Sequence, residues 1–182
     1  MRIIGGEYKS RIIGMPRGVD IRPTQDKVRE AVFNIISGRI EGASVLDLYA
    51  GSGAYGIEAL SRGAKFAVFV DNNPKCVKAI RDNIESLGIG GQAWAIIRTD
   101  AVRALKSLGA SYGRFDLVFL DPPYHEGMAR NSLRNILEYD ILAPNNCIIL
   151  EHYKKDSIDA MEGLLRVDER RYGDTVISIF KR

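Results

Sequence analysis

At 182 residues, 46% hydrophobic and 27% charged, the chain has room for one domain with a sizeable core and the composition of an ordinary soluble globule. No apolar run reaches transmembrane length and no signal-peptide-like apolar region opens the chain, so a cytoplasmic protein is expected. The net charge of +3 is unevenly spread: Arg2, Lys9, Arg11, Arg17, Arg22, Lys27 and Arg29 face only Glu7, Asp20 and Asp26, so the first 29 residues carry more than the whole excess.

In chain order, 2–6 and 11–15 read as two short strands around Glu7-Tyr8-Lys9-Ser10, a hairpin, followed by a loop from Pro16 to Pro23. Thr24 is placed to cap a helix with Val28, Val32, Ile35 and Ile36 on its apolar face, and Gly38 to end it. From Ser44 strands and helices alternate. The strands fall at 44–48, 66–70, 93–97, 115–120 and 147–150, and the helices at about 53–62, 74–87, 101–108, 128–139 and 157–165. Residues 166–171 and 175–180 read as a closing hairpin about Tyr172-Gly173-Asp174. This alternation predicts an α/β fold, a doubly wound and mostly parallel sheet. Residues 1–40 form a basic hairpin-and-helix extension, and 41–182 one compact unit. Preceding the first sheet strand, the extension is expected to add little to the core and to reach a phosphate backbone. Cys76 and Cys147 are isolated, and together with His125 and His152 they lack ligand spacing, so no disulfide and no metal site is expected.

Two segments carry chemistry. Val45-Leu46-Asp47-Leu48-Tyr49 runs into Gly51, Gly53 and Gly56 and then an amphipathic stretch: strand, tight turn, helix. Such glycines admit a ligand close to the backbone, and the helix start offers free N–H groups. The pattern fits NAD as well as other nucleotides. Asp71, at the end of the next strand and twenty residues after Gly51, can accept both hydroxyl hydrogens of a ribose. Asn73-Pro74 then supplies an N-cap and a proline at N1 of a helix that Gly88 ends. The second segment is Asp121-Pro122-Pro123-Tyr124, after the apolar run 115–120. Two prolines stiffen the loop and remove two donors. What remains is the Asp121 carboxylate, freed carbonyls and the flat face of Tyr124, a mouth suited to a planar group bearing an amine, such as a nucleobase. Asp47 lies within the first strand, while Gly51, Asp71, Asp100 and Asp121 follow four successive strand ends, where open α/β sheets bind ligands.

Asp47, Gly51, Gly53, Asp71 and Asp121-Pro122-Pro123-Tyr124, in this order, resemble the class I S-adenosylmethionine (SAM) methyltransferases. Met1-Arg2-Ile3-Ile4-Gly5-Gly6, Arg22-Pro23-Thr24, Val28-Arg29-Glu30-Ala31-Val32-Phe33-Asn34-Ile35 and Arg171-Tyr172-Gly173-Asp174-Thr175 further resemble the bacterial RsmD family, nearly end to end. The resemblance implies a seven-stranded sheet with the last strand antiparallel, and a SAM-dependent enzyme that methylates the exocyclic N2 of a guanine in small-subunit (16S) ribosomal RNA. It implies that Asp47, Tyr49, Gly51, Gly53, Asp71, Asn72, Asp100 and Ala101 hold SAM. Asp71 would take the ribose and Asp100 the adenine amine, with Asp100 also a candidate helix cap. Asp121, Pro122, Pro123 and Tyr124 would act on the target base. Arg2, Lys9, Arg11, Arg17, Arg22 and Thr24 are candidates for contact with RNA or the small subunit, by an enzyme expected to be a monomer. The chain departs from the family pattern in having Tyr49 where Phe is expected, Tyr55 where an aliphatic residue is expected, and Asp71 where many relatives carry Glu. Asp-Pro-Pro-Tyr also occurs in adenine-N6 methyltransferases, which usually carry a recognition insertion for which this chain has no room. A nicotinamide-dependent oxidoreductase would share the glycines and Asp71 without needing Asp-Pro-Pro-Tyr.

Overall fold

The computed structural model describes residues 1–19, 26–123, 127–156, 158 and 160–182. Helix α1 (Asp26–Ile35) and a 3₁₀ turn (Ser37–Arg39) lead into β1 (Ser44–Leu48), α2 (Ala54–Ser61), β2 (Phe66–Asp71), α3 (Pro74–Leu87) and β3 (Trp94–Arg98). Then come α4 (Ala101–Tyr112), β4 (Phe115–Leu120), α5 (Met128–Glu138), β5 (Leu142–Tyr153), β6 (Leu165–Tyr172) and β7 (Thr175–Lys181). The strands form one seven-stranded sheet in the order β3-β2-β1-β4-β5-β7-β6. Pairing is parallel from β3 through β5, and β7 runs antiparallel to both β5 and β6.

The central strands are continuous apolar runs because helices cover both faces of a parallel sheet. One core gathers Val32, Phe33, Ile57, Ile80 and Ile84 from α1–α3. The opposite core gathers Leu105, Leu108, Leu133 and Ile136 from α4 and α5. Asp47 interrupts β1 on the first face, in register with Phe69 of β2 and Phe119 of β4, and is only 3% exposed. Local capping follows the sequence signals. Asn73 Oδ1 accepts from the Lys75 N–H at 2.9 Å with Pro74 at the first helical position, and Gly88 closes α3 in the left-handed region. Asp100 Oδ1 accepts from the Arg103 N–H at 3.0 Å at the start of α4.

The N-terminal segment differs from expectation. Instead of a two-stranded hairpin, a single antiparallel bridge joins Arg2 to Ile12. Ile3 N–H donates to the Arg11 carbonyl at 2.9 Å and Ile13 N–H to the Met1 carbonyl at 3.0 Å beside that bridge, but no ladder extends from it: Ile4 and Gly5 N–H donate to the two Glu58 carboxylate oxygens of α2, each at 2.8 Å, and Glu7 N–H to the Ser61 carbonyl at 2.7 Å. Nor is the segment peripheral to the core. Ile3 and Ile13 are buried among the side chains of α1–α3. A Cβ on Gly6 would stand 1.7 Å from the Ser61 carbonyl oxygen, so only glycine fits against α2. Glu58 is itself buried and ion-paired to Arg62 at 2.8 Å and Arg29 at 3.8 Å.

Three smaller differences concern the second half and α1. No helix covers the described residues of 157–165. Met161 and Leu164 form an antiparallel bridge across a turn in which Gly163 has a φ of 85°, and a left-handed residue cannot continue a helix. Strand β5 starts five residues early, at Leu142, pairs with Phe115, and resumes at Cys147 after an irregularity. Gly38 lies inside the 3₁₀ turn and does not end α1. The proposed cap Thr24 lies outside the described residues.

Candidate active site

A cavity of about 550 Å³ opens at the carboxyl ends of β1, β2 and β4 and beyond β3. Strand β1 sits between β2 and β4, so the connections leave it in opposite directions and open a crevice there. Of the residues singled out in the sequence, Asp47, Tyr49, Gly51, Asp71, Asn72, Asp100, Ala101, Asp121, Pro122 and Pro123 all line this cavity. Gly53 does not. It stands behind the turn with a φ of 79°, where a Cβ would press on Ile57 and Ile80 at 3.2–3.3 Å. Tyr124, His125, Arg22 and Thr24 lie outside the described residues. Arg2, Lys9, Arg11 and Arg17 are exposed on the N-terminal segment and do not line the cavity, although Met1, Met15 and Val19 of that segment do. Sequence reasoning did not identify these three, nor Tyr55, Cys76, Val102 and Met128 on the same walls. They are apolar or aromatic apart from the thiol, and no periodic signal sets a wall residue apart from a core residue. Cys76 and Val102, in the first turns of helices that follow strand ends, were accessible to reasoning from position.

The carboxylates are held in distinct ways. Asp47 Oδ2 accepts from the Gly56 N–H of α2 at 2.8 Å. Burial pushes the Asp47 carboxyl up to about 7; the Gly56 N–H opposes the rise and the nearby Asp71 charge adds to it. Asp71 braces the turn: Oδ2 accepts from the Gly51 N–H at 2.9 Å and Oδ1 from the Asn73 N–H at 2.8 Å. Beyond these two bonds and a hydrogen bond from the Cys76 thiol, the carboxylate keeps acceptor capacity. Cys76 sits against Asp71, and its thiol is pushed up to about 12, first by burial and then by the Asp71 charge and hydrogen bond. Asp100 caps α4 and pairs with Arg103 at 3.3 Å, and half of its side chain remains exposed. Asp121 is half-buried, Pro122 buried and Pro123 exposed. The cavity is thus rich in acceptors, with several carboxylates facing one volume. It suits a ligand carrying a cationic ammonium, paired hydroxyls and an aromatic amine.

Both tyrosines that depart from the family pattern bond to elements distant in sequence. Tyr55 stacks on Phe119, with ring centroids 4.8 Å apart, and donates to Glu151 Oε2 at 3.1 Å. Tyr49 meets Ser132 of α5. His152 is away from the cavity, bonded to Ser178 Oγ at 2.9 Å and the Tyr153 carbonyl at 3.2 Å; burial lowers its pKa.

The doubly wound sheet with an antiparallel β7, a glycine turn after β1 and a cavity at the strand ends defines the class I methyltransferase fold. The chain matches the family described as Conserved hypothetical protein 95 over residues 1–181 and belongs to it. It is 38% identical to "Putative rRNA methyltransferase YlbH" of Bacillus subtilis, covering 100% of this chain and 99% of that one. It is 31% identical to "Ribosomal RNA small subunit methyltransferase D" of Haemophilus influenzae, over 95% and 89% respectively. Among solved structures, "Putative methyltransferase yhhF from Escherichia coli" superposes with a TM-score of 0.87 at 29% identity, covering 100% of this chain and 97% of that one.

Proposed function

We propose that this protein transfers a methyl group from SAM to the exocyclic N2 amine of a guanine in 16S ribosomal RNA. The observation that carries the reading is that Asp121-Pro122-Pro123 opens on the same cavity as Asp47, Asp71 and Asp100, so cofactor-type and base-type acceptors share one volume. The names of its relatives as small-subunit rRNA methyltransferases support the choice of substrate.

SAM supplies an activated methyl group on a sulfonium, and the donor set fits it. Asp47 takes the ammonium, whose positive charge would relieve a buried carboxylate lifted to about 7. Asp71, pinned by two backbone N–H groups, offers its remaining lone pairs to the ribose hydroxyls. Asp100 takes the adenine amine, with Asn72 and Ala101 beside these positions. The protein's chief task is alignment, because the guanine amine is a weak nucleophile whose lone pair conjugates with the ring. Asp121 and the Pro122 carbonyl accept the two amine hydrogens and turn the lone pair toward the methyl. Positive charge then grows on that nitrogen as it bonds to the methyl carbon and the carbon–sulfur bond breaks; the fixed Asp121 carboxylate stabilises the charge, and the surplus proton passes to Asp121 or to water. Tyr124, next in sequence, stacks on the extruded base. Residues 1–40 serve as the RNA-docking extension of a methyltransferase domain at 41–182, with Arg2, Lys9, Arg11 and Arg17 on phosphates and Arg22 and Thr24 nearer the base. The test is transfer of a labelled methyl group from SAM to undermethylated small ribosomal subunits, followed by nucleoside analysis. N2-methylguanosine is the expected product. Label on adenine N6, or none on RNA with tight NAD binding in calorimetry, overturns the proposal.

A further inference from the structure

Tyr49 has a backbone φ of 69°, in the left-handed region that aromatic residues rarely adopt. It follows directly on β1 and precedes the turn closed by the Gly53 N–H and the Ala50 carbonyl at 2.7 Å. A non-glycine residue kept in this conformation needs an interaction that holds it there. Its side chain supplies one. The Tyr49 hydroxyl lies 2.8 Å from Ser132 Oγ, 83 residues further on in α5. The direction of this bond follows from the next one. Ser132 Oγ lies 2.9 Å from the Met128 carbonyl, which can only accept. The single serine hydrogen is therefore used there, and the phenol must be the donor to Ser132. Burial raises the phenol's pKa and the Asp100 charge adds to the rise, while Ser132 lowers it, so the hydroxyl keeps its proton at neutral pH.

The relay ends at a mechanically sensitive point. Met128 is the first residue of α5, the N-cap Gly127 has no side-chain cap, and Met128 lines the cavity. Only residues 124–127 separate that first turn from Pro123. The start of α5 is thus the downstream anchor of the segment beginning at Asp121, and Tyr49 joins that anchor to the glycine turn. A one-ångström misplacement of a reacting group can cost about 10²-fold in rate, so such a tie matters more to chemistry than to cofactor affinity. We infer that the Tyr49–Ser132 bond is a positioning latch, holding the Asp121–Pro123 segment in register with the cofactor side of the cavity. This inference rests on the methyl-transfer reading above, with Tyr49 acting through α5 and not on the reacting atoms.

The experiment uses the full chain as Tyr49→Phe, Ser132→Ala and the double variant. Methyl transfer is measured at saturating SAM and RNA, and SAM affinity by calorimetry. Tyr49→Phe keeps the ring that lines the cavity and removes one hydrogen bond, whereas Ser132→Ala removes that bond and the one to the Met128 carbonyl; each should lower kcat ~3–10-fold, with the SAM Kd within about twofold of wild type. Because both changes break the same link, the double variant should lose no more than the worse single variant. Amide exchange at the start of α5 should quicken in Tyr49→Phe. Unchanged kcat in Tyr49→Phe, losses that multiply in the double variant, or a fall in SAM affinity matching the fall in kcat would each overturn the latch. If the wild-type protein transfers methyl to no ribosomal RNA, the reaction assignment itself fails, a result distinguishable from the others because it appears in the control.

Discussion

Replacing Asp47 with Asn tests how the cavity is charged. Asp47 is 3% exposed, and its carboxyl is raised from 3.8 to about 7, chiefly by burial. A rise of that size corresponds to up to ~4 kcal/mol. Its sign follows from where the proton sits. Between about pH 4 and about pH 7 the folded protein holds a proton on Asp47 that the unfolded chain has released. Stability from this group is therefore complete below about pH 4 and is lost as pH rises through that window. Asn is nearly isosteric, and its amide oxygen can still accept from the Gly56 N–H. The ligand-free variant should match wild type near pH 4 apart from a constant offset, and gain on it by up to ~4 kcal/mol near pH 8. Urea unfolding of both proteins across the pH range gives the difference directly. The same substitution removes the proposed ammonium partner, so SAM affinity should fall by ~1.5–3 kcal/mol, the scale of a hydrogen bond to a charged group. A wild-type-to-variant difference independent of pH, or one that moves in favour of wild type between pH 4 and pH 8, would refute the argument that ligand-free Asp47 is held against an ionisation cost.

Asp121→Ala should lower the methyl-transfer rate by roughly 10²–10³-fold while SAM affinity stays near wild type, since one preorganised charge is removed from the base side only; single-turnover kinetics with calorimetry separates the two. Gly6→Ala places a methyl group 1.7 Å from the Ser61 carbonyl oxygen at a φ of 78°, and should cost more than ~3 kcal/mol in thermal unfolding; a melting temperature close to wild type would mean that the segment is not locked to α2. Replacing Arg2, Lys9, Arg11 and Arg17 with Gln should leave SAM binding intact and flatten the salt dependence of small-subunit binding, by up to ~0.7–0.9 log units of slope per lost phosphate contact. An unchanged slope would move the RNA surface elsewhere.

Much of the frame was legible in the sequence. Val45-Leu46 and 117–120 are apolar without alternation because both faces of a parallel strand are covered, and that requirement acts on each strand alone. Asn73-Pro74, Asp100 and Gly88 could be assigned as caps because capping involves residues a few positions apart. The clustering of Asp47, Gly51, Asp71, Asp100 and Asp121 followed from the rule that parallel strands present their carboxyl ends together. Tertiary structure alone decided where long-range donors go. Ile4 and Gly5 leave a plausible hairpin because Glu58, more than fifty residues away, offers two buried oxygens. The proton-holding state of Asp47 depends on how completely Phe69, Phe119 and α2 exclude water around it. Tyr49 and Ser132 carry no local sign of their bond. Local sequence sets backbone conformation and which faces are apolar, whereas the partner of a buried polar group is chosen by whichever distant element packs against it.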